Sequence, residues 1–247
     1  VGHQALMTET DLDKNTAIGY QTLKVASGSA GTGGNTAVGY LCGTAITTGT
    51  YNTILGIGAG QSLTTGAQSI FIGTYAGYAT TTTGTNIGIG NQAMGSGEVT
   101  SAGTIAIGNQ TLRYLTSGAN NVAVGFQSQK YLTTGDYNTS LGYQALTTAT
   151  ELDSNTAIGY QALMNMSGSA GTSGNTAVGY QTGLALTTAK ESVLIGRGAG
   201  AAVTTGGYNT IIGSKALDAL TTGAGNIAIG YVAASGLATG GQNVAIG

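Results

Sequence analysis

A short motif, first written Asn15-Thr16-Ala17-Ile18-Gly19-Tyr20, returns at nearly regular intervals along the 247 residues of this chain. Most copies begin 17 residues after the previous one, while one interval is 18 and two are 20. A period this short and regular predicts a solenoid, because one repeat cannot bury its own apolar face and must stack on its neighbours. The later copies begin at Asn35, Asn52, Ser69, Asn86, Thr104, Asn121, Asn138, Asn155, Asn175, Ser192, Asn209, Asn226 and Asn243.

The composition narrows the class of solenoid. Charged residues make up 6% of the chain, Gly occurs 45 times and Pro is absent, which is typical of neither collagen nor a charged disordered segment. We therefore expect an all-β fold, a parallel β-solenoid (β-roll or β-helix) of about fourteen coils, that forms one continuous segment over residues 1–247. At roughly 4.8 Å per coil its length is on the order of 65–70 Å. The chain opens within a repeat, so we expect a segment of a longer fibrous protein.

Charge and cysteine content exclude several kinds of site. A net charge of −2 without a basic cluster offers no footprint for nucleic acid. Cys42 is the one cysteine, which excludes a disulfide framework, and it stands where other repeats carry small residues, so we expect buried filler. No run approaches the roughly 18 apolar residues of a membrane span, and we expect no membrane insertion. We also expect no cofactor and no enzymatic activity.

Each coil is numbered here from the first residue of its motif, so that Asn52 is position 1 and Gly56 is position 5. Positions 2 and 4 are aliphatic or Thr. Two β-branched residues that are separated by one residue point to the same face of a strand. We therefore expect both positions to point inward, and position 3, which is mostly Ala, to face a partner chain. The expected core column at position 4 is Ile18, Val38, Leu55, Ile72, Ile89, Ile107, Val124, Leu141, Ile158, Val178, Ile195, Ile212, Ile229 and Ile246.

Two positions predict how the coils stack. Gly at position 5 of all fourteen copies predicts a corner with positive φ or with too close an approach for a side chain. Asn at position 1 predicts either a ladder of side-chain amides or a turn residue that tolerates the left-handed region. The expected ladder comprises Asn15, Asn35, Asn52, Asn86, Asn121, Asn138, Asn155, Asn175, Asn209, Asn226 and Asn243.

Other patterns have two interpretations each. Asp11 with Asp13, and Glu151 with Asp153, place carboxylates at alternate residues, as a weak Ca²⁺ site or as solvated loops. Paired Thr residues, as at 47–48, are typical of ice-binding faces or of turns, and adjacency favours turns. The insertions at 27–34 and 167–174 are expected to protrude as spacers. Tyr residues at position 6 predict either stacking on a surface glycan or packing in an oligomer, namely Tyr20, Tyr40, Tyr143, Tyr160, Tyr180 and Tyr231.

The motif carries a resemblance to known fibres. The sequence Asn-Thr-Ala-Ile-Gly-Tyr-Gln-Ala-Leu at 155–163 resembles the repeat of phage and phage-like tail-fibre proteins and of related bacterial surface fibres. Its core, as at 121–125 and 243–247, is similar to the head repeats of trimeric autotransporter adhesins. The resemblance implies a homotrimer on a virion or cell surface, outside the cell, as a shaft that presents receptor-binding parts. The alternatives are an adhesin head that binds a receptor or glycan directly, an ice-binding solenoid, and a tail-spike enzyme that cleaves glycans.

Overall fold

The computed structural model describes residues 1–9, 14–27, 33–168 and 171–247. The chain divides into two compact units, Val1–Asn121 and Val122–Gly247. Each unit is a parallel β-solenoid in which one three-residue strand per coil joins the main sheet, and the described residues contain no helix. The predicted all-β parallel β-solenoid is therefore confirmed, while the homotrimer stays a prediction. That residues 1–247 form one continuous segment stays a prediction.

In the first unit, six strands pair in parallel in chain order. They are β1 Thr16–Ile18, β2 Thr36–Val38, β3 Thr53–Leu55, β4 Ile70–Ile72, β5 Ile87–Ile89 and β6 Ile105–Ile107. The register places equal positions of successive coils side by side, as where Thr53 of β3 faces Ile70 of β4. Each column along the sheet is therefore built from one position of the repeat.

In the second unit, the main sheet has eight strands, again in chain order. They are β7 Val122–Val124, β8 Thr139–Leu141, β10 Thr156–Ile158, β12 Thr176–Val178, β13 Val193–Ile195, β14 Thr210–Ile212, β15 Ile227–Ile229 and β16 Val244–Ile246. Two short strands, β9 Leu152–Asp153 and β11 Gly171–Thr172, pair beside it in parallel.

The second pairing corrects the expectation for the insertion at 167–174. Its strand β11 pairs with the acidic stretch of the preceding coil, and Ser173 is buried against Asn155, whose amide donates to the Ser173 Oγ at 2.6 Å. The end of this insertion is thus hydrogen-bonded into the stack instead of forming a free spacer. Most of the insertion at 27–34 lies outside the described residues.

The expected inward column at position 4 is wrong, because position 3 points inward and positions 2 and 4 point outward. Strand β8 shows this alternation, with Ser140 fully buried between Thr139 and Leu141, and Leu141 is 48% exposed. Strand parity explains it, since position 1 is buried in the stack and position 3 lies on the same face two residues later. The side chains that are exposed or half-buried instead of buried are Ile18, Val38, Leu55, Ile72, Ile89, Ile107, Val124, Leu141, Ile158, Val178, Ile195, Ile212, Ile229 and Ile246.

The core is built from positions 3, 8, 9 and 12. Position 9, which the sequence reasoning missed, holds a backbone in the left-handed region, so that Leu163 at φ 50° is fully buried. In some coils a large side chain at one of positions 3 and 9 accompanies a small one at the other, as Leu163 accompanies Ala157 and the buried Leu194 accompanies Gly200. Other coils differ, since Ile211 and Leu217 are both buried. In coils of the first kind, one aliphatic side chain fills the same part of the core from either of two backbone positions.

The asparagines at position 1 form the ladder, and the residue before each one, such as Tyr51 at φ 58°, occupies the left-handed region instead. The Asn52 side-chain amide donates to Asn35 Oδ1 at 3.0 Å and to the Gly66 carbonyl at 2.9 Å, while Asn52 Oδ1 accepts from the Ser69 backbone N–H at 2.9 Å. These bonds repeat in the second unit between Asn209 and Asn226. Each buried amide thus ties three successive coils.

Glycine at position 5 meets both conditions that the sequence predicts. Gly56 has φ +129°, and a Cβ there would lie 2.7 Å from the carbonyl oxygen of Gly73 in the next coil. The neighbour that approaches is another coil of the same chain. Any side chain at this corner would hold successive coils apart.

Candidate functional site

The outward face of the main sheet, made of positions 2 and 4, is the most unusual surface of each unit. Position 4 is aliphatic in every copy, and positions 2 and 4 carry no charge in any copy. Ile18 is 47% exposed in the first unit, and Leu141 is 48% exposed in the second. A contiguous apolar column of this kind is a candidate interaction surface.

Aromatic rings at position 6 form stacks on the surface. In the first unit, His3, Tyr20 and Tyr40 stack with ring centroids 5.3 and 5.2 Å apart. In the second unit, Phe126, Tyr143, Tyr160 and Tyr180 continue the same geometry with centroid spacings of 5.2, 5.1 and 5.1 Å. All of the predicted tyrosines except Tyr231 are therefore internal or terminal members of two half-exposed stacks.

The stacked faces limit what these rings can bind. A ring inside a stack has both faces covered by its neighbours, so only its edge meets solvent. A stack end, such as Tyr180, keeps one face without an aromatic neighbour in the described structure. Tyr231, the sixth predicted tyrosine, is 78% exposed near the end of the chain. Among the stacked rings, sugar binding through a ring face is thus restricted to the ends of the stacks.

A ladder of glutamine amides at position 7 runs beside the aromatic stacks. In the second unit Gln144 donates to Gln127, Gln161 to Gln144 and Gln181 to Gln161, at 3.1, 3.1 and 2.9 Å from Nε2 to Oε1. The backbone at position 7 is left-handed, with φ 54° at Gln161. The sequence reasoning missed this ladder, although the recurrence of Gln after the aromatic residue was a visible signal.

Of the carboxylates proposed for a cation, the structure describes Glu151 and Asp153. Asp11 and Asp13 lie outside the described residues. Asp153 Oδ1 accepts a hydrogen bond from the Asp136 backbone N–H at 2.8 Å, and Glu151 is exposed. Across the described part of the chain, no three His, Cys, Asp or Glu side chains form a group that could hold a metal ion. Asp153 instead ties one coil to the next.

The first Thr of each pair is engaged within the stack. Thr64 Oγ1 donates to the Thr81 carbonyl at 2.9 Å, and Thr204 Oγ1 donates to the Thr221 carbonyl at 3.1 Å. The second Thr of the pair, such as Thr65, is exposed. Because one column uses its hydroxyls internally, the geometry favours the turn interpretation over a two-column ice-binding face.

Cys42 is fully buried, and its Sγ lies 3.2 Å from the carbonyl oxygen of Gly56. Burial raises the pKa of this thiol to about 11, although backbone hydrogen bonds at Gly56, Val38 and Ala59 lower it in part. A protonated thiol without solvent access is a poor nucleophile. Cys42 therefore occupies space in the core at position 8.

No protein-family model, curated protein or solved structure matches this chain. Within the ranges that the structure describes, no helix is long and apolar enough to cross a membrane.

Proposed function

We propose that this chain is a structural segment of a surface fibre on a virion or cell, in which copies of the chain associate as a homotrimer and space or present receptor-binding parts. The observation that carries the proposal is the outward column at position 4, which is aliphatic in every coil and uncovered in the single chain. The resemblance of the repeat to tail-fibre and adhesin repeats supports the same role.

Stiffness is the physical contribution of such a segment. Successive coils within each unit are tied by strand hydrogen bonds, by the buried Asn ladder and by corner contacts at glycine, as between Asn35 and Asn52. A stack joined at several points per coil resists bending. The inward side chains are few, however, and a core of about one or two large aliphatics per coil stabilises it weakly. Burial of the outward column between chains would add the missing apolar contacts.

A closed three-fold assembly covers this column on every chain. An open arrangement would leave one apolar face exposed and continue to add copies, whereas a closed ring removes it from water. The absence of charge at positions 2 and 4 in all copies removes the repulsion and desolvation cost that would oppose close approach. Side chains at this face are outward, so they are available for contact without change in the coil.

Light scattering after size-exclusion chromatography tests the assembly. We expect the mass of three 24.2 kDa chains for the unmodified protein. The double substitution Leu141→Asp/Ile195→Asp places charges on the outward face of β8 and β13 and should yield monomers that keep a β-type circular dichroism spectrum. Thr188→Asp, at an exposed position outside that face, is the control and should stay trimeric. A monomeric unmodified chain would refute the proposal, and a dimer would correct its symmetry.

Direct adhesion is a second candidate, favoured by the exposed edges of the four-ring stack in the second unit. A binding assay on immobilised glycans, with Tyr143→Ala/Tyr160→Ala as the variant, tests it. Loss of retention with unchanged oligomeric mass would support adhesion through the stack. Equal retention of both proteins would leave the shaft role alone.

A further inference from the structure

The aromatic stack and the glutamine ladder of the second unit end at adjacent residues. The aromatic stack ends at Tyr180, because the next coil carries Arg197 at position 6. The amide ladder ends at Gln181, because the next coil carries Gly198 at position 7. In this ladder each amide donates to the preceding Oε1, so Gln181 Oε1 is left without the donor that a further glutamine would supply.

A cleft of about 290 Å³ opens where the ladders stop. We call it the Gly198 cleft, and its walls are Tyr180, Gln181, Arg197, Gly198, Ala201, Lys215 and Asp218. A Cβ built on Gly198 meets one atom within 4 Å, the Lys215 Cγ at 3.9 Å. The volume lies at the lower end for small-molecule sites and is suited to one monosaccharide unit.

The internal duplication supplies a counterpart in which the same gap is filled. The sequence of the first unit repeats in the second with an offset of 140 residues, which pairs Gly58 with Gly198 and Tyr75 with Lys215. A Cβ on Gly58 would lie 2.7 Å from the ring of Tyr75. The ring therefore occupies the space that stays open above Gly198.

Charged residues are concentrated at the Gly198 cleft. The whole chain has 7 basic and 9 acidic residues among 247, yet Arg197, Lys215 and Asp218 all line one cleft. The residues at the counterpart positions are the uncharged Ile57, Tyr75 and Tyr78. Within the described structure, the three charged side chains make no hydrogen bond or ion pair with other residues, which leaves their charges available to a ligand.

We propose that the Gly198 cleft binds a sugar unit that carries a carboxylate, such as a uronate or a sialate. The apolar face of the pyranose extends the aromatic stack on the open face of Tyr180, and a sugar hydroxyl donates to Gln181 Oε1. The carboxylate accepts charge-assisted hydrogen bonds from Arg197 and Lys215, while the Asp218 carboxylate accepts from a second hydroxyl. This site needs neither a trimer nor a fibre role.

Saturation-transfer NMR and calorimetric titration of the full chain test the proposal, with glucuronate and N-acetylneuraminate as probes. Glucose serves as the uncharged comparison and inorganic phosphate as the simple anion. Lys215→Gln removes one cation and installs the residue most common at this left-handed position, so the coil should be retained. Lys14→Gln makes the same chemical change outside the cleft, at a left-handed position where Gln68 and Gln242 stand in other coils.

We expect both acidic sugars to bind and glucose to bind at least about tenfold more weakly, since loss of one charge-assisted contact changes affinity by about that factor. Lys215→Gln should weaken acidic-sugar binding about tenfold, and Lys14→Gln should leave it unchanged. Gly198→Gln should abolish binding, because the new amide continues the ladder onto Gln181 and fills the cleft. More salt should weaken binding of the acidic sugars.

Several results would overturn the assignment. No saturation transfer to either acidic sugar would exclude the site, as would equal binding of glucose. Equal binding by the Gly198→Gln protein would place the ligand elsewhere on the surface. If phosphate bound the cleft as tightly as the acidic sugars do, the cleft would be a general anion site. A trimer that fails to bind would refute this inference alone, and a monomer that binds would refute the trimer alone.

Discussion

Since a large side chain can stand at either position 3 or position 9 of a coil, we predict that a leucine at position 9 can replace a leucine at position 3. In one coil of the second unit, Leu194 at position 3 accompanies Gly200 at position 9, and a Cβ on Gly200 would lie 2.6 Å from Leu194 Cδ2. Two coils earlier, Ala157 accompanies Leu163. The backbones match at position 9, with φ 57° at Gly200 and 50° at Leu163. The double substitution Leu194→Ala/Gly200→Leu should therefore restore the side-chain pairing of the earlier coil with conserved volume, and Ile211 of the next coil, whose Cδ1 lies 3.0 Å from the new Cβ, must shift slightly.

The magnitudes follow from burial and overlap. Leu194 is fully buried, and Gly200 beside it has no side chain to close the gap, so Leu194→Ala should reduce the free energy of unfolding by about 3–4 kcal/mol. Gly200→Leu alone overpacks the coil and should cost about 2 kcal/mol. The double variant should lose no more than about 1.5 kcal/mol, because volume-conserving swaps repack at low cost. The coupling between the two sites is then on the order of 4 kcal/mol, above the usual range for neighbours.

Guanidinium denaturation followed by circular dichroism measures these four stabilities. Leu194→Ala/Thr188→Leu is the matched control, because it has the same loss at position 3 with the new leucine at an exposed position. This control should be as unstable as Leu194→Ala. If the losses in Leu194→Ala/Gly200→Leu simply added to about 5–6 kcal/mol, position 9 would not reach the space that position 3 vacates, and the reasoning would be refuted.

Three further predictions concern the interior. Asn52→Ala removes two donors and an acceptor from the buried ladder and should lower the free energy of unfolding by about 2–4 kcal/mol in a denaturation experiment, whereas exposed Asn91→Ala should change it by less than about 0.5 kcal/mol. Gly56→Ala places a Cβ against the Gly73 carbonyl at φ +129°, so it should cost more than about 3 kcal/mol, and a thermal melt like that of the unmodified chain would contradict this. Because burial raises the pKa of Cys42 to about 11 from 9.0, its contribution is complete below pH 9 and should fall by about 2–3 kcal/mol as pH rises through 11. Comparison with Cys42→Ala across that pH range checks the sign, since the alanine variant should lack this fall.

The sequence predicts the solenoid, its period and the corner glycines, because these depend only on spacing and on the steric demands of one residue type. It does not predict which strand face is inward. By strand propensity alone, positions 2 and 4 are the expected core positions. The burial of Asn52 and Ile54 shows that positions 1 and 3 point inward instead. An asparagine in the sequence does not show whether its side chain is buried or exposed, since its amide can form hydrogen bonds either in a buried ladder or in a turn. That one ambiguity inverts every strand residue.

Surface sites are harder to predict than the interior for a related reason. Tyr180 is recognisable from its position as a candidate sugar contact, but the importance of its place at the end of a stack depends on the residues of the next coil. The cleft exists through the absence of a side chain at Gly198 and the failure of Lys215 to fill that space, as Tyr75 does at Gly58. A pattern of residue types contains no direct signal for unfilled space.

Substitutions at inward positions and at surface positions of the stack have different consequences. A substitution at an inward position of one coil disturbs the coils on both sides, because the Asn ladder and the glycine corner are shared between neighbours. A substitution at position 6, 7 or 10 disturbs only surface columns, which can end at any coil without loss of the stack. Arg197, Lys215 and Asp218 occupy those three positions, and each differs in charge from its counterpart 140 residues earlier. New binding chemistry in such a chain should therefore appear where a surface column is interrupted, while the stacked interior stays the same.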